Sequence, residues 1–176
     1  MKLGGTNLLT PGDVVLHTTS RVLLLRISIG SSDVFIFGFH APDRDHGSVS
    51  ICNWSRDFIC ILNKLIPHNA CVLSAGDVNG RIGSVPSQAI GSFGLEKENP
   101  RGSLFHDLIV SRSWWVPLTF HECANDIVSH TYHKNCKRRI DYFMLYDDCK
   151  VEEAQMIHCF ELGLETSMDD HSAIAI

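Results

Sequence analysis

Acids, amides and imidazoles recur in four short motifs, and each motif has a chemical and a plain structural reading. In Gly76-Asp77-Val78-Asn79-Gly80 a carboxylate and a carboxamide stand two positions apart. Alternate residues of extended chain point the same way, so Asp77 and Asn79 could reach one bound anion. The same five residues also suit an Asx turn, which is the simpler reading of the motif alone. In Arg139-Ile140-Asp141-Tyr142 an acid interrupts the apolar run from Ile140 to Leu145. An ionised carboxylate there is costly unless paired, which calls for a histidine, a metal, or an ion pair with Arg138 or Arg139. Asp169-Asp170-His171 sets acids beside an imidazole that titrates near neutrality, a combination that could hold a cation and manage a proton, or form an exposed turn. In His40-Ala41-Pro42-Asp43 the proline forces Ala41 into extended geometry, closing a strand and presenting His40 at a sheet edge.

The elements that must position these motifs follow from hydrophobic pattern. Arg21 to Ile29 and Val34 to Phe39 favour strands and flank the turn-forming Gly30-Ser31-Ser32-Asp33, so they predict a hairpin that ends at His40. From Ser50 to Leu65, Ile51, Trp54, Phe58, Ile61, Leu62 and Leu65 fall on one helical face, and Pro67 follows as a stop. Cys71 to Ala75 predicts a buried strand that delivers Asp77 and Asn79 to the loop at its end. Arg81 to Asn99, rich in Gly, Ser and Pro, predicts a long irregular connection, and Gly102 to Ser111 a helix. Trp114 to Phe120, Val128 to His133, Arg139 to Leu145 and Ser172 to Ile176 predict short strands.

The 176 residues, 44% hydrophobic and 20% charged, suit one folded domain over 1–176 with no internal repeat or linker. A formal charge of −5 argues against nucleic-acid binding through a broad basic surface. It leaves open a nuclease, in which a recruited cation faces the phosphate. Seven scattered cysteines and the lack of a signal-peptide pattern point to a reducing intracellular setting. The apolar runs, such as Val22 to Leu25, are too short to span a bilayer.

Taken together and in order, His-Ala-Pro, Gly-Asp-x-Asn after a buried strand, Thr131-Tyr132 leading to Arg-Ile-Asp-Tyr, and Asp-His before a last strand resemble the endonuclease/exonuclease/phosphatase superfamily. That is the fold of DNase I and the apurinic/apyrimidinic endonucleases. The His-Ala-Pro variant, Trp114 to Phe120 and the Ser-His-Thr-Tyr strand look most like endonuclease domains of non-LTR retrotransposons. The resemblance runs from about Arg21 to the C-terminus. It implies an α/β (α+β) two-sheet sandwich of the DNase I-like type, with the site at the mouth between the sheets.

Carried over by motif, the resemblance implies that Asp77 orients or deprotonates the attacking water and Asn79 hydrogen-bonds a phosphate oxygen. His171 stabilises transition-state charge or accepts a proton, and Asp141 fixes its tautomer. Asp170 binds Mg²⁺ or Mn²⁺. His40 stands where many relatives have Tyr and contacts phosphate, and Arg139 and Tyr132 contact substrate. DNA is the implied substrate, the nucleus the implied location, and a reverse transcriptase the implied companion in a parent element.

The resemblance has a departure. Family members open with a strand carrying Asn and a later strand carrying a metal-ligating Glu, both before the Arg21 hairpin. Here Gly4-Gly5-Thr6-Asn7 matches the segment after that Glu better than the Glu itself. The expectation is a domain lacking its first strands, with weak or no activity of this chain taken alone. The alternatives are an inert remnant or binding module of the same fold, or a phosphatase of the superfamily. A zinc site from His121, Cys123, His130, His133 and Cys136 matches no common spacing. The strand and motif order of calcineurin-like metallophosphatases is not in place either.

Overall fold

The computed structural model describes residues 13–43, 46–83, 85–94, 96–121, 130–132, 136–146, 155–157 and 173–175. Strand β1 (Val14–Thr18) precedes the predicted hairpin of β2 (Val22–Ile29) and β3 (Ser32–His40). Helix α1 (Ser48–Leu65) leads to β4 (Cys71–Asp77), and helix α2 (Pro100–Ser111) to β5 (Trp114–Trp115). The short strands β6 (His130–Tyr132) and β7 (Cys136–Arg138) pair with each other. Then come β8 (Asp141–Tyr146), β9 (Gln155–Ile157) and β10 (Ala173–Ala175), the last two forming another pair.

Six strands make the main sheet, in the order β1-β2-β3-β4-β8-β5. Only β3 and β4 run parallel, because α1 carries the chain back to the start of the sheet between them. In β3 the buried Phe35, Phe37 and Phe39 alternate with Val34, Ile36 and Gly38, so the buried stretch of one face of the strand is wholly aromatic. Both helices cover that face. Phe58 of α1 lies 6.0 Å from Phe37 and 5.1 Å from Phe39, while Phe105 of α2 stacks on Phe39 at 5.4 Å. Aromatic pairs of this kind add about 0.5–1.5 kcal/mol each beyond the area they bury. The result fixes both helices against the strand that ends at His40.

One predicted strand shortens, and three observed strands, β1, β7 and β9, answer to no prediction. Trp114 to Phe120 is a strand only at Trp114–Trp115, after which Pro117–Thr119 forms a 3-10 turn. Proline offers no N–H to a ladder, and the Thr119 amide and hydroxyl both donate to the Val116 carbonyl, at 3.1 and 2.7 Å, closing the turn. Strand β1 was not anticipated. Its register with β2 shifts between Val15 and His17, and such a bulge erases the alternation by which a strand is read from sequence.

Candidate active site

The ends of three neighbouring strands bring three of the predicted residues into one row. His40 is the register partner of Asp77 across β3 and β4, and Asp77 is the partner of Asp141 across β4 and β8. Directly opposed residues share a face of the sheet, so the three side chains stand abreast. His40 Nε2 lies 3.6 Å from Asp77 Oδ2, with the histidine 60% exposed and the aspartate 14%. That is beyond hydrogen-bond length and leaves the two groups as close neighbours at the strand ends. The row continues past the strands through the bonds Ala41 N to Asp77 O and Val78 N to Ile140 O, both 2.8 Å.

Asn79 joins this row by turning out of it. Its backbone is left-handed, with φ of 50°, a region that asparagine tolerates better than most residues. Asp77 Oδ1 accepts the Asn79 amide at 2.6 Å, and Asn79 Nδ2 donates to the Ala41 carbonyl at 2.8 Å. The motif is therefore an Asx turn that also ties the His-Ala-Pro loop to the Gly-Asp loop. One Nδ2 proton is spent on Ala41 and the carboxamide has a second.

Arg21, absent from the predicted set, reaches the same edge. Its Nη1 donates to the His40 carbonyl at 3.3 Å and its Nη2 to His46 Nε2 at 3.0 Å, while His46 Nδ1 lies 2.7 Å from Asp43 Oδ1. Guanidinium can only donate, so His46 Nε2 is the acceptor and Nδ1 carries the proton given to Asp43. The signal was the hairpin register: with Val22 opposite Phe39, Arg21 falls opposite His40.

Arg139 corrects the sequence reading. It is 1% exposed, its Nη2 donates to the Gly94 carbonyl at 2.8 Å, and its guanidinium lies 5.7 Å from the centre of the Tyr142 ring. A side chain so enclosed offers no surface to a substrate; it is part of the frame. Tyr142 belongs to the same frame, donating to the Arg139 carbonyl at 2.7 Å and accepting the Ile82 amide at 3.0 Å. Burial pushes its pKa up to about 12 against the opposing charge of Arg139, so the phenol stays neutral and keeps its proton for Arg139.

The long connection is fastened to α2 by Glu98, which accepts the Gly83 amide at 3.1 Å and lies 2.8 Å from His106 Nδ1. Burial alone raises the Glu98 pKa, but the His106 hydrogen bond, the Gly83 amide, the charge of His106 and the Ser103 hydroxyl together bring it below the usual glutamate range. A carboxylate depressed on folding stabilises the fold above its unfolded pKa, about 4.3, and loses that contribution as pH falls through the folded value. Glu98→Gln is therefore expected to melt lower than the parent at pH 7, with the gap closing below about pH 4. Thermal melts from pH 3 to 7 check this, and a gap that stays constant with pH contradicts it.

Asp170 and His171 lie outside the described residues, as do the Tyr132 side chain and most of the Cys/His set considered for zinc. By its backbone Tyr132 stands in β6, paired with Cys136, and β10 runs close to β8. Asp77 and Asp141 offer the hard oxygen donors that Mg²⁺ takes. Among the described residues, however, no three metal-capable side chains gather at one point, so the cation's fit is one of donor type and not of number.

No family model matches the sequence, and no curated protein matches it. Solved structures do. The endonuclease domain of TRAS1, a telomere-specific non-LTR retrotransposon, superposes with a TM-score of 0.61 at 13% identity, over 92% of this chain and 66% of that one. A 3′ phosphatase from Neisseria, NExo, solved with product DNA hairpin, gives 0.60 at 10% identity over 93% and 69%. An AP endonuclease from Archaeoglobus fulgidus gives 0.55 at 15% identity over 86% and 63%. The chain thus spans about two thirds of the length of these three structures. A mixed sheet with both helices on one face is the fold this chain shares with these solved structures.

Proposed function

We propose that this chain is a phosphodiester hydrolase acting on DNA, of the retroelement endonuclease type. The observation that carries the reading is the row of His40, Asp77 and Asp141 at adjacent strand ends, with Asn79 and Arg21 turned to the same edge. Asp77, mostly shielded and held through Oδ1 by the Asn79 amide, is suited to orient water and take its proton. The second amide proton of Asn79 and the guanidinium of Arg21 supply donors for phosphate oxygens. His40, on the solvent side of Asp77, offers an imidazole nitrogen to a phosphate oxygen. To Asp141 we assign the orienting of an imidazole, for which His171 is our candidate.

A divalent cation, Mg²⁺ or Mn²⁺, with Asp170 as its principal ligand, belongs to this proposal. When bound it would offset the charge of clustered carboxylates and of the phosphate. A nuclear place of work and a companion reverse transcriptase follow from the retroelement reading. Three of the matched proteins are described as a retrotransposon endonuclease, a 3′ phosphatase with DNA product and an AP endonuclease, and these descriptions support a nucleic-acid phosphoester as substrate.

The test is relaxation of supercoiled plasmid by the purified chain in excess over DNA. Weak nicking is expected in Mg²⁺ and is expected to stop in EDTA, returning when Mg²⁺ is restored. Equal nicking in EDTA overturns the cation; no nicking with either Mg²⁺ or Mn²⁺ overturns the hydrolase reading for this chain.

A further inference from the structure

We propose that Arg101, on the first turn of α2, is a positioning residue: it sets the spacing between the loop that carries His40 and the loop that carries Asp77 and Asn79. One atom does this. Arg101 Nη1 donates to the Pro42 carbonyl at 2.8 Å and to the Asn79 carbonyl at 3.2 Å. Those carbonyls belong to chain segments leaving two parallel strands, and two negative oxygen ends brought to one point repel each other unless a donor lies between them. The cation is the donor that fits. Arg101 reaches these carbonyls from α2, which packs through Phe105 on the aromatic side of β3, so we assign it to the loops and not to a substrate.

The helix turn that holds Arg101 is itself locked to the second loop. Asn99 caps α2 through Oδ1, which accepts the Gly102 amide at 2.9 Å, and the same oxygen accepts the Arg81 amide at 3.2 Å. A side chain at Gly80 would bring its Cβ to 2.9 Å from Arg101 Cβ, so only glycine lets the loop lie this close to the helix. The other cross-tie, Asn79 Nδ2 to Ala41 O, reaches the first loop one residue earlier. Added to the backbone bond from Ala41 N to Asp77 O, these two side-chain ties fix the separation and tilt of the loops.

This inference rests on the hydrolase reading for its kinetic consequence but not for its structural one, and the experiment separates them. Plasmid nicking is followed at several protein concentrations for the parent, Arg101→Ala and Arg101→Lys, together with amide hydrogen exchange. Arg101→Ala is expected to lower the limiting single-turnover rate about a hundredfold, the scale of a misplacement near 1 Å, while the half-saturating concentration moves less than about twofold. Arg101→Lys is expected to recover most of the rate, since an ammonium can also donate to two carbonyls. Exchange at 40–43 and 78–81 is expected to quicken about tenfold in Arg101→Ala, with Phe35–Phe39 unchanged.

A loss that sits wholly in half-saturation and is not rescued by lysine means that Arg101 touches the substrate, and overturns the proposal. So does unaltered exchange in the two loops. If the parent does not nick DNA, the hydrolase reading fails and exchange alone decides: localised quickening supports the clamp and its absence overturns it. Should Arg101→Ala not fold, Arg101→Met keeps an unbranched side chain against Gly80, removes the donors and takes its place in every readout.

Discussion

Replacing Asp77 with asparagine is expected to slow plasmid nicking by about two to four orders of magnitude, the usual scale for a lost general base. The substitution is close to isosteric, and its consequences separate cleanly. The Asx turn survives, because the carboxamide still presents an oxygen to the Asn79 amide where Oδ1 now accepts it at 2.6 Å. The tie from Asn79 to Ala41 is untouched. What disappears is the negative charge 3.6 Å from His40 Nε2 and the ability to take a proton from water. A merely structural Asp77 predicts a different result, with the rate near that of the parent and any change seen in the melt. Single-turnover assays with protein in excess measure the loss, and circular dichroism shows that the fold is kept. Nicking within about threefold of the parent would remove Asp77 from the mechanism, and with it the assignment of the row as an active site.

Some of this was legible before any coordinates and some was not, for reasons that differ by residue. The α1 stripe and the β4 strand declared themselves because burial of an apolar face dominates their energetics and repeats at a fixed period. Asp141 was conspicuous because a carboxylate inside an apolar strand is expensive, and the structure sets it half-buried beside Asp77 in the row. Asp77 and Asn79 could not be sorted between turn and site from their spacing, and the geometry shows why: the turn is the device that joins the two loops. Arg21 was invisible because its relevance depends on hairpin register, a property of two strands at once. Arg139 misled because a charged residue in a basic run reads as surface. In the fold a tyrosine face and the Gly94 carbonyl enclose it instead. The Trp114 to Phe120 segment misled because its bulky residues favour strands, while Pro117 cannot serve a ladder.

Gly102→Ala should be the most damaging small substitution in the described part of the chain, and it sets two principles against each other. Gly102 lies inside the first turn of α2, where propensity alone makes alanine better by about 0.8–1 kcal/mol. Its surroundings reverse that sign. A Cβ built there would overlap the Arg81 carbonyl oxygen and carbon and come within 3.0 Å of the Ile82 amide nitrogen, all of them backbone atoms that cannot swing aside. Relief requires α2 to move off the loop, giving up the Asn99 bond to Arg81 and the seating of Arg101 together. We expect a net loss of about 3 kcal/mol or more, at the upper end for overpacking, and a fall in Tm of roughly 6–12 °C. Nicking should fall with it even below the melting range, because the helix turn that shifts is the one that holds both site loops. Gly38→Ala provides the control: the nearest atom to its Cβ is the Ala75 carbonyl oxygen at 3.9 Å, so it should stay within about 1 kcal/mol of the parent. A Gly102→Ala protein that melts at or above the parent would mean that α2 and the 80–82 loop are not packed backbone to backbone, and the clamp at Arg101 would lose the foundation on which it stands.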